Sequence, residues 1–173
     1  VAAQLRGTKR CSALVEMSTV GRAALARIRE ALGTDIALLD CPVSGGVPKA
    51  ERGDLSAIVA GDPALIERVR PVLEHMAARI FVVGAEPGLA QVCKLVNNAI
   101  SITGLVVACE AVAMGVKAGV DAGTLIDVIN ASTGRNSATV DKFPRAILPR
   151  TFDYGGPLSI GTKDLNLYLE ETL

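Results

Sequence analysis

The sequence is poor in aromatic residues and contains a single histidine. Among 173 residues there is no tryptophan, and there are only three phenylalanines and two tyrosines. A core for this chain must therefore be built from Ala, Val, Leu and Ile. The single histidine, His75, lies among charged residues on a predicted helix and is expected to be exposed, so a Ser-His-Asp triad is disfavoured. No cluster has metal-ligand spacing, and zinc chemistry is disfavoured as well.

The sequence also lacks an excess of charge of either sign. It has 18 basic and 18 acidic residues, so its formal net charge is zero. A nucleic-acid-binding surface usually requires a basic excess or stripe. We therefore expect no nucleic-acid partner.

The cysteines show no paired spacing. Cys11, Cys41, Cys93 and Cys109 lack a C-x-x-C pattern and stand among apolar neighbours, which predicts reduced, buried thiols. Reduced thiols favour the cytoplasm, or the mitochondrial matrix in a eukaryote. No basic segment followed by a cleavage site is visible at the start, so no signal peptide is expected.

One apolar run, residues 99–116, is long enough to suggest a membrane span. Asn97, Asn98 and Glu110 lie within or beside it, and Gly104 and Gly115 interrupt it. These residues favour a buried helix of a soluble protein without a membrane partner.

The pattern of elements changes near residues 85–88. Before that point strands alternate with helices, and after it each periodic segment indicates a helix. This order predicts the C-terminal part of a Rossmann-type doubly wound sheet, followed by an all-α domain, within an α/β fold class. We place the domains at residues 1–86 and 87–173. The predicted strands are 12–17, 36–40, 55–61 and 80–84; the predicted helices are 21–32, 64–77, 88–118, 121–132, 137–148 and one from about 162, with a loop at 41–54.

The stretch GLAQVCKLVNNAIS carries polar residues in the most apolar part of the chain. Lys94, Asn97, Asn98 and Ser101 have the spacing i, i+3, i+4, i+7, which places them on one face of a helix. A buried ammonium costs several kcal/mol unless it is paired or its pKa falls. The lysine therefore calls for a functional explanation.

Three further motifs have both a structural and a functional interpretation. The Ser44-Gly45-Gly46 turn after a strand offers backbone N–H groups that can hold a carboxylate or phosphate, but an ordinary tight turn has the same composition. Ser18-Thr19 at a strand end is also typical of a helix N-cap. Lys163-Asp164 is compatible with a helix whose N-cap is Thr162.

Taken in order along the chain, the motifs are similar to those of a known family. DCPVSGGVPKAERGDLSAIVAGD, VGAEPGLAQVCKLVNN, INASTGRNS and TKDLNL closely resemble the β-hydroxyacid dehydrogenases, which include 3-hydroxyisobutyrate dehydrogenase and tartronate semialdehyde reductase. The resemblance spans nearly all 173 residues. It implies an NAD(P)-dependent enzyme that acts on a small 3-hydroxy acid or its semialdehyde, with NAD or NADP as cofactor and homo-oligomers formed through the helical domain.

The resemblance also implies residue roles. Lys94 matches the catalytic lysine and Asn98 its polar companion, with Asn97 a neighbour in the substrate pocket. Ser44, Gly45 and Gly46 match the turn that holds the substrate carboxylate. Thr19 matches a residue beside the nicotinamide ribose and Lys163 one on the cofactor side, while Asp164 matches an acidic residue near the substrate.

Two departures from the family pattern are visible. There is no Gly-x-Gly-x-x-Gly turn, and the chain ends soon after TKDLNL, so we expect a fragment that is inactive by itself. Pro157 stands where relatives commonly have an aromatic residue. The alternatives are a non-catalytic binding or assembly module of the same fold, which the presence of Lys94 and Lys163 disfavours, and an enzyme similar to 6-phosphogluconate dehydrogenase, which the scarcity of Arg and His near the motifs disfavours.

Overall fold

The computed structural model describes residues 2–5 and 11–172, and the chain divides into two compact units. The first unit holds the described residues up to Val96 and those from Asn166 onward, and the second holds Asn97–Leu165. This division groups residues by the contacts between them. The domain boundary expected at 85–88 stays a prediction.

The first unit alternates strands and helices, as expected. Helix α2 has the predicted bounds, and Asp62 caps α4 as predicted, because its Oδ1 accepts a hydrogen bond from the Ala64 N–H at 2.7 Å. Helix α4 ends before the predicted 77, since β5 already begins at Ala77, which pairs with Leu55. The elements are α1 (Ala2–Leu5), β1 (Ala13–Glu16), α2 (Gly21–Leu32), β2 (Ala37–Asp40), β3 (Val43–Ser44), α3 (Gly46–Glu51), β4 (Leu55–Ala60), α4 (Pro63–Leu73), β5 (Ala77–Gly84) and the start of α5 (Leu89–Lys117).

The five strands form one mixed sheet. β1 and β2 are parallel, and β4 and β5 are parallel, but β4 runs antiparallel to both β2 and β3. The sequence predicted a loop at residues 41–54, and this was wrong, because the stretch contains β3 and α3. A parallel crossover needs a dozen or more residues, and the short connection from β3 to β4 instead returns the chain antiparallel.

Helices cover both faces of this sheet. Consecutive side chains of a strand point to opposite faces, and β2 shows this alternation: Leu38 packs with Leu25 and Leu32 of α2, whereas Leu39 packs with Leu65 of α4. The predicted Rossmann-type doubly wound architecture is thus confirmed, with a mixed rather than a parallel sheet.

The second unit is helical. It contains the part of α5 from Asn97, then α6 (Ala122–Asn130), a π-helix (Ala138–Ile147) and the part of α7 (Leu158–Thr172) up to Leu165. Asp121 caps α6 as predicted, since its Oδ1 accepts from the Thr124 N–H at 2.8 Å. The core of this unit consists of Ala108, Val112, Ile126, Ala138 and Phe143.

Two expectations for this unit are corrected. The helix disturbed by Pro144 is a π-helix, in which the Leu148 N–H bonds to the Phe143 carbonyl five residues back. Helix α7 starts at Leu158 rather than at about 162. Thr162 is therefore inside the helix and is not its N-cap.

Helix α5 is less buried than the sequence suggested. It is long and apolar enough to cross a membrane by length and composition alone, and only 22% of its most apolar window is buried. Core helices of soluble proteins pass the same test of length and composition. Several large side chains on α5 are exposed, among them Ile100 at 70% and Met114 at 68%.

The cysteines are free thiols, as predicted, but they are not all buried. Cys41 is buried, whereas Cys93 and Cys109 are exposed on α5. The prediction failed at these two positions because α5 is apolar nearly all round, so apolar neighbours in sequence do not imply cover.

Candidate active site

Thr19 lies at the carboxyl edge of the parallel strand pair. Glu16 at the end of β1 is in register with Asp40 at the end of β2, so the residues that follow both strands leave the sheet at one edge. Ligands of open α/β sheets bind outside this edge. The N-cap alternative for Ser18-Thr19 is wrong, because Val20 is the N-cap residue of α2 and makes no side-chain cap.

The N–H groups that open α2 are held by a distant glutamine. Gln91 Oε1 accepts from the N–H groups of Val20 at 2.9 Å and Gly21 at 3.1 Å, and Gln91 Nε2 donates to the Ser18 carbonyl at 3.1 Å. Gln91 is fully buried. The segment that contains Thr19 is therefore attached to the first turn of α5.

Asp40 completes this network from the sheet. Its Oδ1 accepts from Gln91 Nε2 at 2.8 Å, and its Oδ2 accepts from the N–H groups of Gly88 at 2.7 Å and Gln91 at 3.2 Å. Asp40 is 0% exposed. A carboxylate at the first turn of a helix is stabilised by the unpaired N–H groups and the helix dipole. Asp40, although distant in sequence, acts as the cap of α5.

Lys94 lies one helical turn after Gln91. Lys94 is 8% exposed, in agreement with the burial expected from the sequence. Side chains three residues apart project from neighbouring positions of one helix face, so Lys94 follows Gln91 on the side of α5 that meets the sheet edge.

The Ser-Gly-Gly turn lies at the end of β3. Asp40 pairs with Ala60 and Ser44 pairs with Ser56 of the same strand, so β3 continues the path of β2 along β4. Gly45 has a φ of 143°, and a Cβ there would lie 2.7 Å from Lys49 Cβ. Only glycine fits this position, and the chain leaves β3 directly into α3.

In the second unit, Asn98 and Asp164 are directly bonded. Asn98 Nδ2 donates to Asp164 Oδ2 at 2.6 Å, and Lys163 Nζ lies 2.8 Å from Asp164 Oδ1. Asp164 is 4% exposed, while Asn97 is exposed and donates to Asn98 Oδ1 at 3.0 Å. A buried carboxylate thus connects a neutral amide with a cation.

A further polar cluster in this unit was not predicted. Lys142 Nζ lies 3.4 Å from Ser101 Oγ and 5.5 Å from the ring centroid of Tyr154. Burial lowers the pKa of Lys142, opposed by the charge of Asp141. Burial, followed by the hydrogen bond that Tyr154 donates to Asp141, raises the pKa of Tyr154 to about 12.

One cavity of the first unit is not lined by the predicted site residues. It has a volume of about 500 Å³ and is lined by residues such as Arg22, Leu167 and Glu171. None of Thr19, Ser44 and Lys94 lines it. We therefore locate the candidate site by its side chains and not by this cavity.

The predicted site residues are divided between the two units. The structure places Thr19, Ser44, Gly45, Gly46 and Lys94 in the first unit, and it places Asn97, Asn98, Lys163 and Asp164 in the second. Asp40 and Gln91 were missed. Asp40 stands at the end of a predicted strand and Gln91 precedes Lys94 by three residues, but an aspartate or a glutamine in such a place is ordinary, so neither carried a signal in the sequence.

An α/β unit followed by helices is an architecture that NAD-binding oxidoreductases share with other proteins, and the comparisons with known proteins select this class. Two family models match the chain. Residues 3–84 match the NAD binding domain of 6-phosphogluconate dehydrogenase, and residues 88–172 match the NAD-binding domain of NADP-dependent 3-hydroxyisobutyrate dehydrogenase.

Relatives of the chain agree with these matches. L-threonate dehydrogenase of Escherichia coli is 32% identical over 157 residues, which is 90% of this chain and 52% of the relative. 3-Hydroxyisobutyrate dehydrogenase of Pseudomonas aeruginosa is 37% identical over 165 residues, with 90% and 54% covered. The solved 3-hydroxyisobutyrate dehydrogenase of Mycobacterium tuberculosis with L-serine has a TM-score of 0.82 at 31% identity, with 94% and 58% covered.

The chain belongs to the β-hydroxyacid dehydrogenase family. It spans about half the length of the curated relatives that it matches. The family assignment confirms the resemblance found in the motifs, and both family models describe NAD-binding domains, which supports NAD or NADP as the cofactor.

Proposed function

We propose that the protein containing this chain is an NAD(P)-dependent oxidoreductase that acts on a small 3-hydroxy acid or its semialdehyde. The observation that carries the proposal is Lys94, which is 8% exposed on a largely apolar helix. Desolvation of an ammonium costs free energy even when the group is paired, so a lysine retained near the carboxyl edge of the sheet supports a chemical role.

The residues present fit a nicotinamide cofactor. Thr19 lies at the carboxyl edge where β1 and β2 end, and Gln91 fixes the backbone on either side of it. When bound, the nicotinamide supplies or accepts a hydride. Thr19 would hold the ribose next to the nicotinamide, and Lys163 is proposed as a second cofactor-binding residue.

Lys94 would act on the substrate oxygen. Its Nζ would donate a proton to the carbonyl oxygen during reduction and remove one from the hydroxyl during oxidation, as a general acid and base. Asn98, itself held by Asp164, would orient the substrate through a neutral amide, with Asn97 beside it. Asp164 would fix this arrangement from its buried position.

The Ser44-Gly45-Gly46 turn would bind the substrate carboxylate. The Ser44 hydroxyl and the N–H groups of the two glycines are suitable donors for an anion. Fixing the carboxylate also fixes the reacting carbon, which is how orientation contributes to the rate. The names of the relatives point to the same substrate class, since threonate, hydroxyisobutyrate and serine each carry a carboxylate and a hydroxyl.

We further propose that the protein forms homo-oligomers through its helical part. Ile100, Val107 and Met114 of α5 are 61% to 70% exposed, and exposed apolar surface of this kind favours association. A second copy is the proposed cover, with no membrane or nucleic-acid partner. We place the protein in the cytoplasm, or in the mitochondrial matrix of a eukaryote.

The test is steady-state kinetics of the protein that contains this chain. NADH and NADPH absorbance would be followed with threonate, 3-hydroxyisobutyrate, serine, tartronate semialdehyde and 6-phosphogluconate. Turnover of a small hydroxy acid or semialdehyde supports the proposal. Cofactor binding without turnover would identify a binding module instead, and selective turnover of 6-phosphogluconate would assign the other enzyme class.

A further inference from the structure

The Asp40–Gln91 pair joins three separate parts of the first unit. It connects the end of β2, the segment 18–21 before α2, and the first turn of α5. Asp40 and Gln91 are 51 residues apart in sequence, and both are 0% exposed. Buried hydrogen bonds of this kind specify one arrangement, because any other leaves polar groups unsatisfied in a low-dielectric interior.

The polarity of the pair is dictated by its neighbours. The N–H groups of Val20 and Gly21 need an acceptor, so Gln91 must present its oxygen to them. The amide nitrogen then faces Asp40 Oδ1 and the Ser18 carbonyl, both of which are acceptors. The Gly88 and Gln91 N–H groups require a second acceptor, which is Asp40 Oδ2.

We infer that Asp40 and Gln91 are positioning residues that hold the Thr19 segment and the start of α5, which bears Lys94, in a fixed position relative to each other. This inference rests on the proposed function for its catalytic meaning. The pair holds the backbone on both sides of Thr19 and sits one turn before Lys94, so the cofactor-side residue and the proton-transfer residue cannot shift independently. Asp40 also occupies the N–H groups at the start of α5, which are therefore not available to a phosphate.

The test swaps the carboxylate and the amide between positions 40 and 91, so that donor and acceptor change places. Asp40→Asn alone would place an amide N–H group against Gln91 Nε2, or else leave the Gly88 and Gln91 N–H groups without their acceptor. Gln91→Glu alone would bring two carboxylates together.

The double variant D40N/Q91E restores a matched pair. The new amide at position 40 donates to the new carboxylate at position 91, and its oxygen still accepts from the Gly88 N–H. That carboxylate also still accepts from the N–H groups of Val20 and Gly21. The bond to the Ser18 carbonyl is lost, and a carboxylate oxygen faces that carbonyl instead, so two acceptors come into contact there.

We expect each single variant to lower kcat on the order of 10- to 100-fold, as misplacement of reacting groups does. The double variant should recover part of this loss, because the bonds to Val20, Gly21 and Gly88 return while the bond to the Ser18 carbonyl does not. KM for the hydroxy acid should change little, because Ser44 lies on β3 and not on the segments that the Asp40–Gln91 pair connects. The control is Val59→Ala in the buried core of β4, which should lower Tm without lowering kcat when assayed well below Tm.

Amide hydrogen exchange provides a readout that does not depend on activity. Peptides that cover residues 18–23 and 86–92 should lose protection in both single variants and regain it in the double variant. If this pattern appears while the wild-type protein turns over no hydroxy acid, the positioning role of the pair is supported and the proposed function fails. If the wild-type protein is active and the single variants keep both kcat and protection, or if the double variant is no better than either single variant, the positioning role is overturned.

Discussion

Asn98 and Asp164 form a short hydrogen bond, 2.6 Å from Nδ2 to Oδ2, between residues 66 positions apart. Asp164 is 4% exposed, and its other oxygen lies 2.8 Å from Lys163 Nζ. The carboxylate thus accepts a hydrogen bond from one amide and is ion-paired with one cation. Asn98 leaves its own Oδ1 to Asn97, so these four residues constitute a connected polar group in the second unit.

Removal of Asn98 should therefore destabilise the fold. In Asn98→Ala the buried Asp164 loses its amide donor, and we expect a loss of about 1–3 kcal/mol in the free energy of unfolding. Urea denaturation at neutral pH measures this loss. Asn97→Ala is the matched control, because Asn97 is exposed and should cost less than about 0.5 kcal/mol. Equal effects of the two substitutions would show that the Asn98–Asp164 bond contributes nothing.

Lys94→Ala should remove proton transfer. We expect kcat to fall on the order of 10²- to 10⁴-fold, the usual contribution of a positioned general acid and base. Cofactor affinity should change little, which equilibrium titration with NADH or NADPH would check. Lys117, exposed at the end of the same helix, provides the control substitution. A Lys94 variant that retained most of its turnover would contradict the assigned role.

Ser44→Ala should act mainly through KM. The lost hydrogen bond to a charged ligand corresponds to about 1–3 kcal/mol, or roughly 5- to 150-fold in kcat/KM. Ser56 is the control, because it is the cross-strand partner of Ser44 in β4. If both alanine variants bind substrate as the wild type does, the Ser-Gly-Gly turn has only a structural role.

Tyr154 should contribute to stability in a defined pH window. Its hydrogen bond lowers the pKa of Asp141, assisted by Arg145 and opposed by burial. The stabilisation is therefore present above the usual aspartate pKa and is lost as pH falls through the lowered value. Conversely, the raised pKa of Tyr154, about 12, means that its contribution is present below pH ~10 and is lost as pH rises toward 12.

Tyr154→Phe measures this window. The stability difference between wild type and variant should be largest at neutral pH and should shrink at acidic and at strongly alkaline pH. A Tyr168→Phe background leaves Tyr154 as the remaining tyrosine of the two, so its ionisation can be followed by absorbance at alkaline pH. A midpoint near the ordinary value of about 10 would contradict the partial desolvation of Tyr154 and its hydrogen bond to Asp141.

The reactivity of the cysteine thiols measures whether α5 is buried by a second copy. Burial, with a contribution from Asp40, raises the pKa of the Cys41 thiol to about 11, so it should resist alkylation at pH 8 until the protein unfolds. Cys93 is exposed in the single chain and should react. Mass spectrometry after iodoacetamide treatment identifies the modified positions. If a second copy covers α5, the exposed thiol Cys109 should be protected in the oligomer and reactive after dilution to the monomer.

The elements that the sequence predicted well are those with local signals. Asp62 and Asp121 are N-cap residues followed by periodic apolar positions, and both helices begin where these residues indicate. β3 was missed because two residues give no periodicity, and its pairing with β4 depends on contacts between strands that no local pattern reveals.

For the candidate site, the sequence predicted the burial of Lys94, and the assigned roles stay predictions. Lys94 is conspicuous because an ammonium in an apolar run is unusual, and its burial agrees with that reasoning. Gln91 and Asp40 gave no such signal, since a glutamine in a helix and an aspartate at a strand end are ordinary. Their importance arises from hydrogen bonds that only the folded chain creates.

The last turns of α7 belong to the first unit, and this has a consequence for the order of folding. Glu171 accepts a hydrogen bond from the Arg22 N–H at 2.6 Å, across 149 residues, and Leu167 packs where a side chain at Gly21 would otherwise reach. Chains fold from the N-terminus during synthesis, but the start of α2 cannot gain this partner until residue 171 has left the ribosome. Closing so distant a contact is also slow, because the entropy of the intervening chain must be lost first. The start of α2 therefore reaches its final surroundings on the α7 side only after the 149 positions that separate Arg22 from Glu171 have been synthesised.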